Sequence, residues 1–399
     1  MTGFPPSAGN LVTLATWQDA PNVNWAFQHL RELIPSHPIP ADPARTAPLT
    51  AALDQRIAET PVTRLDGSVA TADEVFADTH TDAVLVLHDG VVVEERYLGG
   101  MSARTTHLLM SVSKSIVGCV TGILVSGGLI DPDAPVAEYV PEIAGSGYDG
   151  ATVRHLLDMR SGVGFRETYD APDAEVRVME RSMGWRPVRE GDPVGAYAYL
   201  TTLGTSAPHG GDFSYRSADT DMLGWVCERA AGTRMADLIS TLLWIPMGAE
   251  HDAEISCDAV GTAIHDGGIS AVARDLARFG RLLLDDGAGI VPAHWLAASW
   301  QPPGDVRDAF AGTDNEAVLP GGWYRNQFWF VPNQHGPSLV CLGIHGQMVY
   351  VNRATRTVGV KLSSWPVPQH TAYLVDTLRA FGSIGGTLDS GQRGATLRA

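Results

Sequence analysis

The 399-residue chain carries 28 Lys plus Arg against 45 Asp plus Glu, a formal net charge of −17. Apolar residues make up 44% of it and charged residues 18%, too apolar a balance for a disordered chain. The acidic excess repels a nucleic-acid backbone and an anionic membrane surface, so neither is an expected partner.

Residues 1 to about 80 are rich in Pro, Ala and Thr and read as a surface-wrapping lead with short helices, one of them around Trp25 to Leu33. The segment AVLVLHDGVVVEERY, residues 83–97, is two β-rich runs joined at Asp89-Gly90, the dipeptide of a tight hairpin. From Ser111 to Val125 an apolar run with small residues closes at Gly127-Gly128, which predicts a buried helix opened by Ser111. Between Asp131 and Asp266 the periodicity is helical: Val153, Leu156 and Leu157 precede Gly162, and Met222, Leu223, Val226 and Cys227 precede Gly232. No strand is expected there. Ser270 reads as the cap of a helix bearing Val272, Leu276, Phe279 and Leu283. Four strands follow, Gln327 to Val331, Ser338 to Ile344, Met348 to Val351 and Thr357 to Ser364. A last helix, Thr371 to Phe381, precedes a Gly-rich tail expected to be mobile.

Strands at both ends around a helical middle predict an α/β (α+β) fold, an antiparallel sheet flanked by helices with an all-α insert. The expected division is a discontinuous α/β domain, 1–130 and 267–399, and an all-α domain, 131–266, with a cleft where they meet. Cys119, Cys227, Cys257 and Cys341 are scattered, without a CxxC or Cys/His cluster, which suits a reducing compartment. The N-terminus shows no basic region followed by a long apolar run, and no later segment reaches the length of a membrane span, so a cytoplasmic location is expected.

Only two of the basic residues are lysines, Lys114 and Lys361. Lysine can be deprotonated when desolvated and arginine cannot. In Ser111-Val112-Ser113-Lys114 a three-residue helical step puts serine and lysine on one face. Burial and the helix N-terminus are both expected to depress the lysine pKa, making it a base for the serine, while free N–H groups there can hold an oxyanion. Alone, this spacing arises by accident about one time in ten, and the bland reading of Ser111 is a helix cap. A second element, Tyr215-Arg216-Ser217, lies just before a helix start and supplies a phenol able to relay a proton. His88, His107, His155 and His265 lack metal-ligand spacing, and no metal or cofactor is expected.

Taken in order, THLLMSVSKSIVG, ATVRHLLDMRSG, FSYRSADTDMLGWVCERAAG, GGISAVARDLARFGRLLL and GIHGQ resemble the serine hydrolases of the β-lactamase/transpeptidase-like fold: class C β-lactamases, D-alanyl-D-alanine carboxypeptidases and family VIII carboxylesterases. WQDAPNVNWAF, YVPEIAGSGYDG and VKLSSWP extend the resemblance to the 6-aminohexanoate-dimer hydrolases, including the N-terminal lead.

The resemblance implies Ser111 as nucleophile, Lys114 as base and Tyr215 as proton relay, with Ser217 as the second polar position of the tyrosine motif. Cys341-Leu342-Gly343 stands where β-lactamases carry a K[ST]G strand, so the N–H groups of Ser111 and Ile344 would form the oxyanion hole. Losing the strand lysine removes a grip on a β-lactam carboxylate. Tyr169, Glu180, Ser217, Asp266, Gly343 and His370 are implied around the substrate; Asp266 replaces an asparagine, and Glu180 an aspartate near the substrate's amino group. His345, by its place beside the oxyanion strand, could line the cleft, although a histidine satisfied by its neighbours is the first reading. The expected substrate is a small linear amide or ester, with an amino terminus suited to the negative charge of Glu180 and Asp266. A homodimer is a further expectation. The alternatives are a β-lactamase or D-alanyl-D-alanine carboxypeptidase, and a catalytically inactive binding module of the same fold.

Overall fold

A computed structural model describes residues 1, 3 and 5–396 of the chain, with side chains as far as residue 390. The elements that position the site are, in chain order, α1 (Asn22–Gln28), β1 (Ser36–Ile39), β2 (Thr81–His88), β3 (Val91–Tyr97), β4 (His107–Leu108), α2 (Val112–Ser126), α3 (Glu175–Ser182), α4 (Ser217–Ala231), β5 (Ala253–Ser256), β6 (Ile269–Ala271) and α5 (Ala273–Leu284). They are followed by β7 (Trp323–Arg325), β8 (Phe328–Val331), β9 (Ser338–Gly343), β10 (Gln347–Asn352), β11 (Thr357–Ser363) and α6 (Thr371–Thr396).

The expected hairpin forms from β2 and β3, with Asp89 (φ 48°) and Gly90 (φ 79°) in the left-handed region its turn requires. It joins a seven-stranded sheet in the order β3-β2-β11-β10-β9-β8-β7, antiparallel throughout and assembled from both ends of the chain. Strand alternation splits the core in two: Ala83, Leu85 and Leu87 pack into one apolar cluster, Val84 and Val86 into the other. Helix α5 covers the first face at close range, because a Cβ on Gly280 would lie 2.4 Å from Val358 Cγ1. Helix α6 covers the second, with Phe381 over Gly359, where a Cβ would meet the ring at 2.4 Å.

Three expectations need correction. The stretch from Asp131 to Asp266 is not free of strands: β5 pairs with β1 and β6, and β4 completes a second sheet in the order β1-β5-β6-β4. Ala253–Ser256 is four residues buried on both faces, so it carries no alternation to read. Ser270 is no helix cap; it lies in β6, and α5 begins at Ala273 without a side-chain cap. The final helix does not stop at Phe381 but runs to Thr396, because its glycines face close neighbours: a Cβ on Gly385 would meet Thr355 Oγ1 at 2.7 Å. The remainder of the expected mobile tail, 397–399, lies outside the described residues.

The four cysteines are free thiols, all buried. Among the described residues no helix is long and apolar enough to cross a membrane.

Candidate active site

Helix α2 is apolar and buried on nearly every side, the pattern of a helix held between layers. Its entry is strained, since Met110 adopts φ 48°, a region unfavourable to a residue with a side chain. Ser111 follows in the cap position, yet its hydroxyl makes no capping hydrogen bond. Instead Ser111 Oγ lies 2.9 Å from Lys114 Nζ. The helical step expected from the sequence therefore brings the two side chains together, and the plain capping role is ruled out for the hydroxyl.

Lys114 is 1% exposed and spends its three ammonium protons on Ser111 Oγ, on Ser217 Oγ at 3.0 Å and on the Asp266 carbonyl at 2.7 Å. The Asp266 carboxylate lies 3.5 Å away, and the Tyr215 ring 5.2 Å from Nζ to its centroid. Here the expected depression of the lysine pKa is overturned. Burial does push it down, but Tyr215, Asp266, Glu167 and Asp221 face the amine and outweigh burial, so the net shift is upward. The resting group is an ammonium. Burial raises Asp266 to about 7, with the nearby Asp221 adding to the rise and Lys114 opposing it. Burial likewise raises the Tyr215 phenol against the opposing pull of Lys114 and Ser111.

A cavity of about 570 Å³ opens over this cluster, walled by Ser111, Tyr215, Glu167, Tyr169, Gly343, Ile344, Trp329, Asp314 and His370 among others. Gly343 must be glycine at this point, because a Cβ would lie 2.5 Å from the Leu109 carbonyl and 3.1 Å from Met110 Cβ. That contact presses the end of β9 against the turn into α2, and Ile344 and Ser111 both line the cavity. Tyr169 lines the cavity with its hydroxyl donating to Glu167 Oε1 at 2.6 Å, and His370 lines it with its ring stacked 3.8 Å from that of Tyr373.

Other expected substrate contacts are not brought to the cavity. Glu180 is buried, and its carboxylate accepts from Arg177 at 2.6 Å, Arg186 at 2.5 Å and Gln18 at 3.3 Å, which leaves it neutralised within the protein. Asp266 sits behind Lys114 rather than on the wall. His345 is fully buried; its Nδ1 is 2.8 Å from the Trp365 carbonyl, and burial pushes its pKa down to about 4, so it is a neutral brace behind Ile344. Ser217 touches Lys114 but not the cavity.

Glu167 went unread in the sequence. Its carboxylate accepts from the Ser217 N–H at 2.9 Å and the Ser217 hydroxyl at 2.6 Å as well as from Tyr169. Its one signal was position, two residues before Tyr169 in FRETY. Among the described residues no group of three or more His, Cys, Asp or Glu side chains is arranged to hold a metal ion.

Comparison with known proteins fits this geometry. Residues 70–381 match the Beta-lactamase family model. The chain is 40% identical over 395 residues to the 6-aminohexanoate-dimer hydrolase of Paenarthrobacter ureafaciens, covering 96% of this chain and 97% of that one. It is 31% identical over 173 residues to the esterase EstB of Burkholderia gladioli, 42% of this chain and 43% of that one. A solved structure from Bacillus anthracis, assigned as a 6-aminohexanoate-dimer hydrolase, superposes with a TM-score of 0.85 at 27% identity, covering 96% and 99% of the two chains.

Proposed function

The chain belongs to the beta-lactamase family and is a serine hydrolase, and from that premise we propose that Ser111, Lys114 and Tyr215 carry out acyl transfer on small linear amides and esters. The observation that carries this reading is the contact of 2.9 Å between Lys114 Nζ and Ser111 Oγ at the floor of a cavity.

In this mechanism the substrate carbonyl lies against the backbone N–H groups of Ser111 and Ile344, which stabilise the oxyanion. Lys114 first releases one proton to solvent, and the neutral amine then takes that of Ser111 as Oγ attacks. Tyr215 gives its phenolic proton to the leaving amine or alcohol and recovers one from Lys114. Water enters by the reverse transfers and releases the acid. A small-molecule substrate is the only partner the reading requires.

The cavity supports a linear substrate, with Phe165, Val318, Leu319 and Trp329 as apolar wall and Asp314 presenting an exposed carboxylate. That carboxylate, and not Glu180, suits a substrate ammonium. A β-lactamase or D,D-peptidase reading shares the nucleophile but meets Cys341, a buried thiol, where the family's strand lysine would grip a carboxylate. A binding module without catalysis has no use for a buried ammonium held against a serine.

The test compares hydrolysis of p-nitrophenyl butyrate, the linear 6-aminohexanoate dimer and a chromogenic cephalosporin, with fluorophosphonate labelling of Ser111. The ester is expected to turn over fastest, the dimer weakly and the cephalosporin hardly at all. A cephalosporin preference, or a folded protein that resists labelling, overturns the reading.

A further inference from the structure

We propose that Glu167 is a positioning residue that aims the Lys114 lone pair at Ser111 by fixing which way the Ser217 hydroxyl points. The inference rests on the acyl-transfer reading above and adds to it a residue outside the Ser/Lys/Tyr set.

A hydroxyl has one proton to donate, and an ammonium has no lone pair to accept it. Ser217 Oγ accepts from Lys114 Nζ at 3.0 Å, so its own proton must go elsewhere, and Glu167 Oε1 takes it at 2.6 Å. The other carboxylate oxygen accepts the Ser217 N–H at 2.9 Å, on the first residue of α4, so the carboxylate grips both ends of this one residue.

The consequence appears when Lys114 becomes neutral. A neutral amine offers a single lone pair, and Ser111 must donate into it for attack to occur. An unrestrained Ser217 hydroxyl, 3.0 Å from Nζ against 2.9 Å for Ser111, would compete for that lone pair and quench the base. Glu167 prevents this by holding the Ser217 proton on the opposite side. Its third bond, from the Tyr169 hydroxyl, ties this setting to the cavity wall.

The test is a double-mutant cycle with Glu167→Gln and Ser217→Ala, read as kcat and KM on p-nitrophenyl butyrate across pH. Glu167→Gln is expected to lower kcat roughly 10- to 100-fold with KM changed about twofold or less. The double variant is expected to be no slower than Ser217→Ala alone, because Glu167 acts through Ser217. The titratable groups facing Lys114 are Tyr215, a neutral phenol, and the carboxyl groups of Asp266, Glu167 and Asp221, which supply the negative charge. Removing one anion lowers the lysine pKa, so the rising limb of the Glu167→Gln profile should move to lower pH. Glu167→Asp keeps the charge and should hold the limb at the wild-type position while kcat falls. Additive effects in the cycle, an unmoved limb in Glu167→Gln, or a limb displaced as far in Glu167→Asp each overturn the proposal. Turnover surviving in Ser111→Ala would instead overturn the acyl-transfer reading itself.

Discussion

Lys114 Nζ donates to Ser111 Oγ across 2.9 Å, so at rest the proton sits on the partner that must receive one. The ammonium state follows from the acids around it, and catalysis requires that state to be left briefly.

Lys114→Arg isolates the requirement for proton exchange, since arginine keeps the positive charge but does not deprotonate. The variant is expected to lose at least about a thousandfold in kcat/KM, as is Ser111→Ala. Steady-state kinetics on an activated ester measures both, and Lys114→Arg within tenfold of wild type would remove lysine from the mechanism.

The rate should climb with pH, because the working form is the neutral amine and its pKa is held above the ordinary lysine value. Asp266→Asn removes one of the charges responsible. The sign is fixed: with less negative charge nearby the amine loses its proton more readily, and the limb moves to lower pH. A pH profile of kcat/KM for the two proteins reads this directly, and a limb displaced to higher pH would contradict the charge accounting.

Glu180→Gln tests the carboxylate that the sequence assigned to the substrate. Held between Arg177 and Arg186, it is expected to matter for stability, and its loss leaves two cations without their partner at a cost of about 3 kcal/mol. The ratio of kcat/KM for an ammonium-bearing amide to that for its uncharged analogue should stay unchanged. Denaturant unfolding gives the first quantity, and a ratio that collapses would return Glu180 to the substrate site.

His265 gives the fold its own pH dependence. Burial alone would lower its pKa, but Asp221 at 3.5 Å and Glu228 at 3.8 Å raise it to about 9 from an ordinary 6.5. A folded pKa above the unfolded one stabilises fully below pH 6.5, and that contribution is lost as pH rises through 9, about 3 kcal/mol in all. Unfolding free energies at pH 6 and pH 9.5 should differ by that order, and His265→Gln should flatten the difference.

What the sequence disclosed was local. The Asp89-Gly90 turn, the Ser111-to-Lys114 step and the tyrosine before α4 each rest on neighbours within a few positions. The lysine's protonation was hidden because the acids that set it arrive from residues 167, 221 and 266, brought together only by the fold. The Glu180 clamp was hidden likewise: Gln18 comes from the N-terminal lead, and Arg177 and Arg186 look like any surface arginine in a linear reading. The strand Ala253–Ser256 has no pattern of its own and exists because Ser36–Ile39 lies along it.

Cys119, Cys227 and Cys341 have no exposed surface, and burial pushes the latter two thiols up to about 12 and the first well above its ordinary value. In the closed molecule they are neither reachable nor ionised, so an alkylating reagent meets them only when the interior opens. The rate at which iodoacetamide consumes them is then a clock for breathing of the core around α2 and β9, independent of any substrate.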